Sequence, residues 1–270
     1  MRIQANGIHL GYEEWGTGKP LVLLHAFPCN RSMWAHQISA LTQGRQFRVI
    51  TPDFRGFGES DAPDGPYLME TLADDIAALL EALQIEDCAL GGLSLGGYVA
   101  FAFYRRYGAR VRELILADTR PQADSEEGRA SREEMAQLAE RQGSHVIAER
   151  YLPRLLTQAT LQDPTGTTAR LRAMMEAATP TGLAGALRGI ALRADSTDLL
   201  PQIHCPTLIL VGEEDSTTPL ADAHLMAEHI PHARLVTIPY AAHLSNLEQP
   251  ESFNQALVTF LAEQAQKTPA

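Results

Sequence analysis

ALGGLSLGGYVAFAF, residues 89–103, sets a single serine, Ser94, among four glycines where a short apolar run gives way to helical periodicity. The residues before Ser94 read as a buried strand, and Leu95 to Tyr107 read as a helix with Gly108 as its stop. Gly92-Leu93-Ser94-Leu95-Gly96 fits a G-x-S-x-G turn, which lifts a serine to the tip of a strained backbone between strand and helix. Side chains two positions either side of that serine would collide with the adjoining strand and helix, and Gly92 and Gly96 remove the collisions. The helix that starts after Ser94 aims free N–H groups and its positive dipole end at the place where an oxyanion would develop. The same glycines also suit plain close packing, such as packing around a phosphate, so residues elsewhere have to decide between the readings.

Outward from this turn, strand and helix alternate. MRIQANGIHLGYEEWG alternates about Asn6-Gly7, a dipeptide suited to the two positive φ values of a type I′ hairpin turn. PLVLLHAF (20–27) and FRVITPDF (47–54) read as strands flanking a helix over 31–43, whose Met33, Trp34, Ile38 and Leu41 fall at helical spacing. A second helix carries Leu68, Leu72, Ile76, Leu79, Leu80 and Leu83 as one stripe, and ELILADT (113–119) follows the Ser94 helix as another strand. From Arg120 the rhythm changes: REEMAQLAE, VIAERYLPRLL and ARLRAMMEAA are helical, and no convincing strand occurs until PTLILVGEED (206–215). Then come a helix (220–230), the strand ARLVTIPY (233–240) and a terminal helix (251–264). This pattern predicts an α/β fold: a mainly parallel sheet flanked by helices, with residues 1–120 and 200–270 as core domain and 121–199 as a helical cap insertion.

Composition narrows the function classes. A 270-residue chain with 45% hydrophobic and 20% charged residues can bury a sizeable core, which sets aside disordered and fibrous classes. The net charge of −11 and the absence of a Lys/Arg-rich run argue against nucleic acid or an anionic membrane as partner. No stretch approaches the ~20 apolar residues of a membrane span, and no signal-like segment opens the chain, so a cytoplasmic protein is expected. Cys29, Cys88 and Cys205 are odd in number and widely spaced, which predicts reduced core thiols without a disulfide framework or zinc site. No metal-ligand spacing, P-loop or dinucleotide fingerprint is present, so chemistry without a cofactor is expected.

A serine hydroxyl is a poor nucleophile unless a base takes its proton and an acid orients that base. The chain here resembles the α/β-hydrolase fold family of serine hydrolases over nearly its whole length. Within it, GGLSLGGYVAF (91–101) and HLSNLEQP (243–250) resemble small carboxylesterases and the 3-oxoadipate enol-lactonase-like branch. In that family the acid and then the histidine follow the serine on loops after later strands, which by resemblance makes Asp215 of LILVGEEDSTTP the acid and His243 the base. Glu213 and Glu214 adjoin Asp215, and Asp118 ends an earlier strand from which some members supply the acid, so these remain rivals. LLHAFP (23–28) stands where the family has H-G-x-P. The match implies that the Phe27 and Leu95 N–H groups form the oxyanion hole and that His25 orders the loop. Ala26 departs from the usual glycine, which puts the exact course of that loop in question. PDFRGFGES (52–60) resembles a further family loop and reads as a supporting surface turn with an ion-pairing Asp and Arg.

The resemblance implies a hydrolase that cleaves small to medium carboxylic esters or lactones through an acyl-enzyme on Ser94, with substrate held mostly by apolar contacts. Met135, Leu138, Leu152, Leu155, Met174, Met175, Leu183 and Leu187 of the cap offer themselves for an acyl pocket, although most suit helix packing better. Carbon–carbon bond hydrolysis or perhydrolysis on the same residues, and a small-molecule receptor on the same fold, stand as alternatives. Haloalkane dehalogenation fits less well, because that branch resembles an Asp nucleophile where this chain has Ser94.

Overall fold

The computed structural model describes residues 1–43, 46–163 and 166–267. Eight strands, β1 (Arg2–Ala5), β2 (Ile8–Gly16), β3 (Lys19–Leu24), β4 (Phe47–Pro52), β5 (Cys88–Leu93), β6 (Val111–Ala117), β7 (Thr207–Gly212) and β8 (Ala233–Ile238), form one sheet in the order β1-β2-β4-β3-β5-β6-β7-β8. β2 runs antiparallel to both β1 and β4, and every other pairing is parallel. The helices are α1 (Ala35–Thr42), α2 (Met69–Ala82), α3 (Leu95–Tyr107), α4 (Glu126–Gln142), α5 (Ser144–Leu155), α6 (Gln158–Leu161), α7 (Thr167–Glu176), α8 (Pro180–Ala191), α9 (Leu220–His229), α10 (Ser245–Glu248) and α11 (Pro250–Lys267). A mainly parallel sheet with helices on its faces is the expected α/β architecture.

Local chemistry explains the elements. Asn6 and Gly7 take φ values of 45° and 79°, so the opening hairpin turns where those two residues tolerate the left-handed region. β5 and β7 are buried at every position, as strands covered by helices on both faces must be. The α2 stripe buries Leu72, Ile76, Leu79 and Leu80. α3 ends at Tyr107 with Gly108 as its C-cap, as expected. The Gly108 φ is −55°, and the chain tightens into a 3₁₀ turn over Gly108–Arg110 before β6.

Between β6 and β7, α4 to α8 lie over the sheet's carboxyl edge, with residues 164–165 outside the described set. α8 seats directly on the core, since a Cβ at Gly189 would lie 1.7 Å from the Tyr67 carbonyl oxygen. Tyr67 N–H in turn donates to the Gly185 carbonyl at 2.9 Å. No helix among the described residues is long and apolar enough to cross a membrane.

Candidate active site

Ser94 sits between β5 and α3 with φ 54° and ψ −111°, a non-glycine backbone state of order 1–3 kcal/mol above relaxed geometry. The surroundings hold it there. Ser94 N–H donates to Ala117 O at 3.0 Å, and Thr119 Oγ1 donates to Ser94 O at 2.9 Å. A Cβ at Gly92 would stand 2.1 Å from Gly96 O, and one at Gly96 would stand 2.2 Å from Leu24 O, so both positions flanking the turn admit glycine alone.

The serine hydroxyl faces His243, with Ser94 Oγ 2.8 Å from His243 Nε2. His243 Nδ1 lies 2.8 Å from Asp215 Oδ2. The remaining capacity of Asp215 is filled by its own loop: Oδ1 accepts from the N–H groups of Thr217 (2.8 Å) and Thr218 (3.0 Å), and Oδ2 accepts from Thr218 Oγ1 (2.6 Å). Burial opposes ionisation of Asp215, yet the charge and hydrogen bond of His243 and the bonds from Thr218 outweigh it and hold the carboxyl below its ordinary range. An ionised Asp215 can only accept, so the His243 proton resides on Nδ1 and Nε2 is left to accept from Ser94. Three side chains from the ends of β5, β7 and β8 thus form one buried hydrogen-bonded chain.

Of the rival acids, Glu213 and Glu214 point outward and are exposed, while Asp118 is fully buried without touching His243. Asp118, at φ 42°, accepts from Gly212 N–H at 2.8 Å and from Ser245 Oγ at 2.5 Å, which ties the β7 loop to the loop that follows His243. Burial, and then the charge of Asp215, push its carboxyl well above the usual range.

On the opposite side of Ser94, Phe27 and Ala26 are buried, and Ala26 is absent from the positive-φ residues, so the alanine fits its loop without strain. His25 braces this loop: Nδ1 pairs with Ala26 O at 2.9 Å, and Nε2 accepts from Phe54 N–H at 3.0 Å. Burial pulls the imidazole below its ordinary pKa, in keeping with the single neutral tautomer those two bonds require. Among the described residues, neither Phe27 N–H nor Leu95 N–H donates to a protein acceptor. The 52–60 loop differs from a surface turn, because Asp53, Phe54 and Phe57 are buried. Asp53 pairs with Arg31, whereas Arg55 reaches away to Asp75 at 2.6 Å.

A cavity of about 240 Å³ opens over Ser94 and His243, walled by Phe27, Tyr98, Arg120, Asp124, Arg132, Tyr151, Arg154 and Leu155. Its walls correct the apolar pocket expected from the cap. Of the eight apolar cap residues considered, only Leu155 reaches it, while Leu152, Met175, Leu183 and Leu187 are buried in helix packing. The insert is also stitched to the His243 loop: Glu248 accepts from Thr157 N–H and Oγ1 (both 2.8 Å) and from Ala242 N–H (2.7 Å), and Leu244 N–H donates to Leu155 O (3.2 Å). The threonines after Asp215 could have been foreseen, since an Asp followed by Ser/Thr marks a side-chain-capped turn. The arginine walls carry no local motif. Cys29 and Cys88 are buried thiols pushed up to about 12 by burial, and among the described residues no three His, Cys, Asp or Glu side chains are grouped to hold a metal.

The profile of the alpha/beta hydrolase fold matches residues 19–250. The chain is 32% identical to 3-oxoadipate enol-lactonase 2 of Acinetobacter baylyi over 257 residues, covering 94% of each protein. Among solved structures it resembles a thermophilic esterase from Thermogutta terrifontis, solved with malate bound, at 44% identity and a TM-score of 0.94, covering 98% of this chain and 99% of that one. It also resembles the enol-lactonase from Burkholderia xenovorans, at 31% identity and a TM-score of 0.91, covering 97% of this chain and 100% of that one. With a matching profile over most of its length and relatives aligned nearly end to end, the chain belongs to the alpha/beta hydrolase fold family.

Proposed function

We propose that this protein hydrolyses carboxylic esters or lactones through an acyl-enzyme on Ser94. The hydrogen-bonded chain Ser94 Oγ, His243, Asp215, with both outer distances at 2.8 Å, carries the reading. His243 Nε2 takes the Ser94 proton as Oγ attacks the acyl carbonyl, and Asp215 holds the imidazole in the Nδ1–H tautomer and stabilises the imidazolium. The undonated N–H groups of Phe27 and Leu95, the latter at the start of α3, receive the oxyanion. His243 then protonates the departing alcohol and activates the water that releases the acid. Residues 121–199 act as the cap that closes the cavity. The esterase and enol-lactonase likenesses support this reaction class.

The test pairs a fluorophosphonate probe, read by intact mass and peptide mapping, with turnover of p-nitrophenyl butyrate. One adduct on Ser94, lost in Ser94→Ala along with several orders of magnitude in turnover, is the expected result. A folded protein that takes no adduct and turns over no ester overturns the reading and favours a small-molecule receptor.

A further inference from the structure

The cavity over Ser94 is charged in a way that neutral esters do not need. Arg120, Arg132 and Arg154 line it, and Asp124 is the single carboxylate among its lining side chains. Asp124 is already engaged: Oδ1 pairs with Arg120 at 3.0 Å and Arg193 at 2.8 Å, and Oδ2 pairs with Arg132 at 2.8 Å. Arg193 is buried and committed to the fold, lying 4.3 Å from the Tyr98 ring centroid and donating to the carbonyls of Gln122 and Ile190. Three guanidiniums thus share one carboxylate before Arg154 is counted, and positive charge is left over.

Arg154 differs from the others. Among the described residues it has no carboxylate within 4.0 Å, and its guanidinium lies 5.9 Å from the Tyr151 ring centroid on the cavity wall. Its carbonyl accepts from Thr217 Oγ1 at 3.1 Å, which fixes the root of the side chain beside the loop of Asp215. Arg188 of the same insert shows the contrast, being neutralised by Glu133 at 2.9 Å and Glu140 at 2.5 Å. A further donor, Arg120 Nε, is buried without a partner. In a chain of net charge −11, whose overall field repels anions, a surplus of cations around one cavity, with the exposed Arg154 at its rim, selects for an anionic group.

We propose that the substrates of this site are esters or lactones that bear a free carboxylate, and that Arg154 receives that carboxylate, with Arg132 and Arg120 adding to the positive field. The proposal rests on the ester-hydrolase reading. Arg154 is a specificity residue that engages the far end of the substrate and not the reacting carbonyl. Guanidinium and carboxylate pair through two parallel N–H···O bonds, so geometry as well as charge is read.

The test compares kcat/KM for p-nitrophenyl hydrogen glutarate with that for p-nitrophenyl pentanoate, which has the same acyl length without the charge. The wild type is expected to favour the anionic ester by about tenfold or more, through KM, as a charge-assisted hydrogen bond at a partly open site implies. Arg154→Gln brings the ratio close to one, Arg154→Lys keeps part of it, and added salt shrinks it. In the wild type, free glutarate inhibits pentanoate hydrolysis competitively and its neutral diamide does not. A wild-type ratio at or below one, or a ratio that Arg154→Gln leaves unchanged, overturns the proposal while pentanoate turnover still upholds the hydrolase. Turnover of neither ester overturns the hydrolase reading and this proposal with it.

Discussion

Ser245 Oγ stands 2.5 Å from Asp118 Oδ2, which fastens the loop carrying His243 to the end of β6. The same carboxyl accepts from Gly212 N–H, so the loops of Asp215 and His243 are held by one buried acid. Burial and the charge of Asp215 raise the Asp118 pKa, so the protonated form favours the fold. The stability tied to that proton is present in acid and is lost as pH rises through the raised value. Asparagine keeps the shape with no proton to lose. Asp118→Asn is expected to retain kcat within about tenfold and to flatten the part of the fall in Tm that sets in as pH rises above the ordinary carboxylate range, whereas Asp118→Ala lowers kcat by about 10²-fold through a misplaced imidazole. An alanine variant with unchanged kcat removes the anchoring role.

Asp215 and its acidic neighbours separate cleanly. Asp215→Asn should lower kcat by about 10⁴-fold, because an amide no longer enforces the Nδ1–H tautomer of His243. Glu213→Gln and Glu214→Gln, both at exposed positions, should stay within about twofold of wild type. Steady-state kinetics on p-nitrophenyl butyrate decide the matter, and a large loss in either glutamine variant moves the acid away from Asp215.

Acid should loosen the packing within residues 121–199. Burial opposes ionisation of Asp124, but Arg193 and Arg132 outweigh it and hold its carboxyl at about 2, against 3.8 for the unperturbed group. A depressed folded-state pKa gives stability that is present above the unfolded value and is lost as pH falls toward the folded one. The loss is about 2 kcal/mol between pH ~4 and ~2. Thermal melting across that range is expected to show this fall in the wild type. Asp124→Asn should lower Tm at neutral pH and lack that part of the acid limb.

Packing at the serine turn predicts a further failure. Gly96→Ala would place a Cβ 2.2 Å from the Leu24 carbonyl, against backbone that cannot give way cheaply. The expected cost is about 3 kcal/mol, or roughly 5–10 °C in Tm, measured by calorimetry. A variant that melts with the wild type would mean that α3 can shift away from β3.

The parts of the site that were legible in the sequence are those fixed by local backbone geometry. Gly92 and Gly96 announce the turn under Ser94, whereas Asp215 and His243 were picked out by the resemblance of their post-strand loops to those of the family. Asp118 to Ser245 and Asp124 to Arg193 are contacts between distant segments with no spacing rule, and only folding reveals them. The apolar cap residues, read mostly as packing faces, are that, with Leu155 alone of the eight at the cavity. A helix in an insert needs an apolar face to pack on its neighbours, so Leu183 and Leu187 report that packing and say nothing of the cavity. Gly108 does end α3 as read, through a 3₁₀ turn and without a left-handed residue.

Glu248 has one oxygen on Thr157 and the other on Ala242, so the seam between insert and core is written partly in each. The helical segment is therefore not an interchangeable part. Recombination that swaps residues 121–199 for those of a relative inherits a working junction only if the incoming helices present a donor where Thr157 stands and a free carbonyl where Leu155 stands. α8 is constrained in the same way, because Gly182 and Gly189 lie against the Gly56 and Tyr67 backbone with no room for a Cβ.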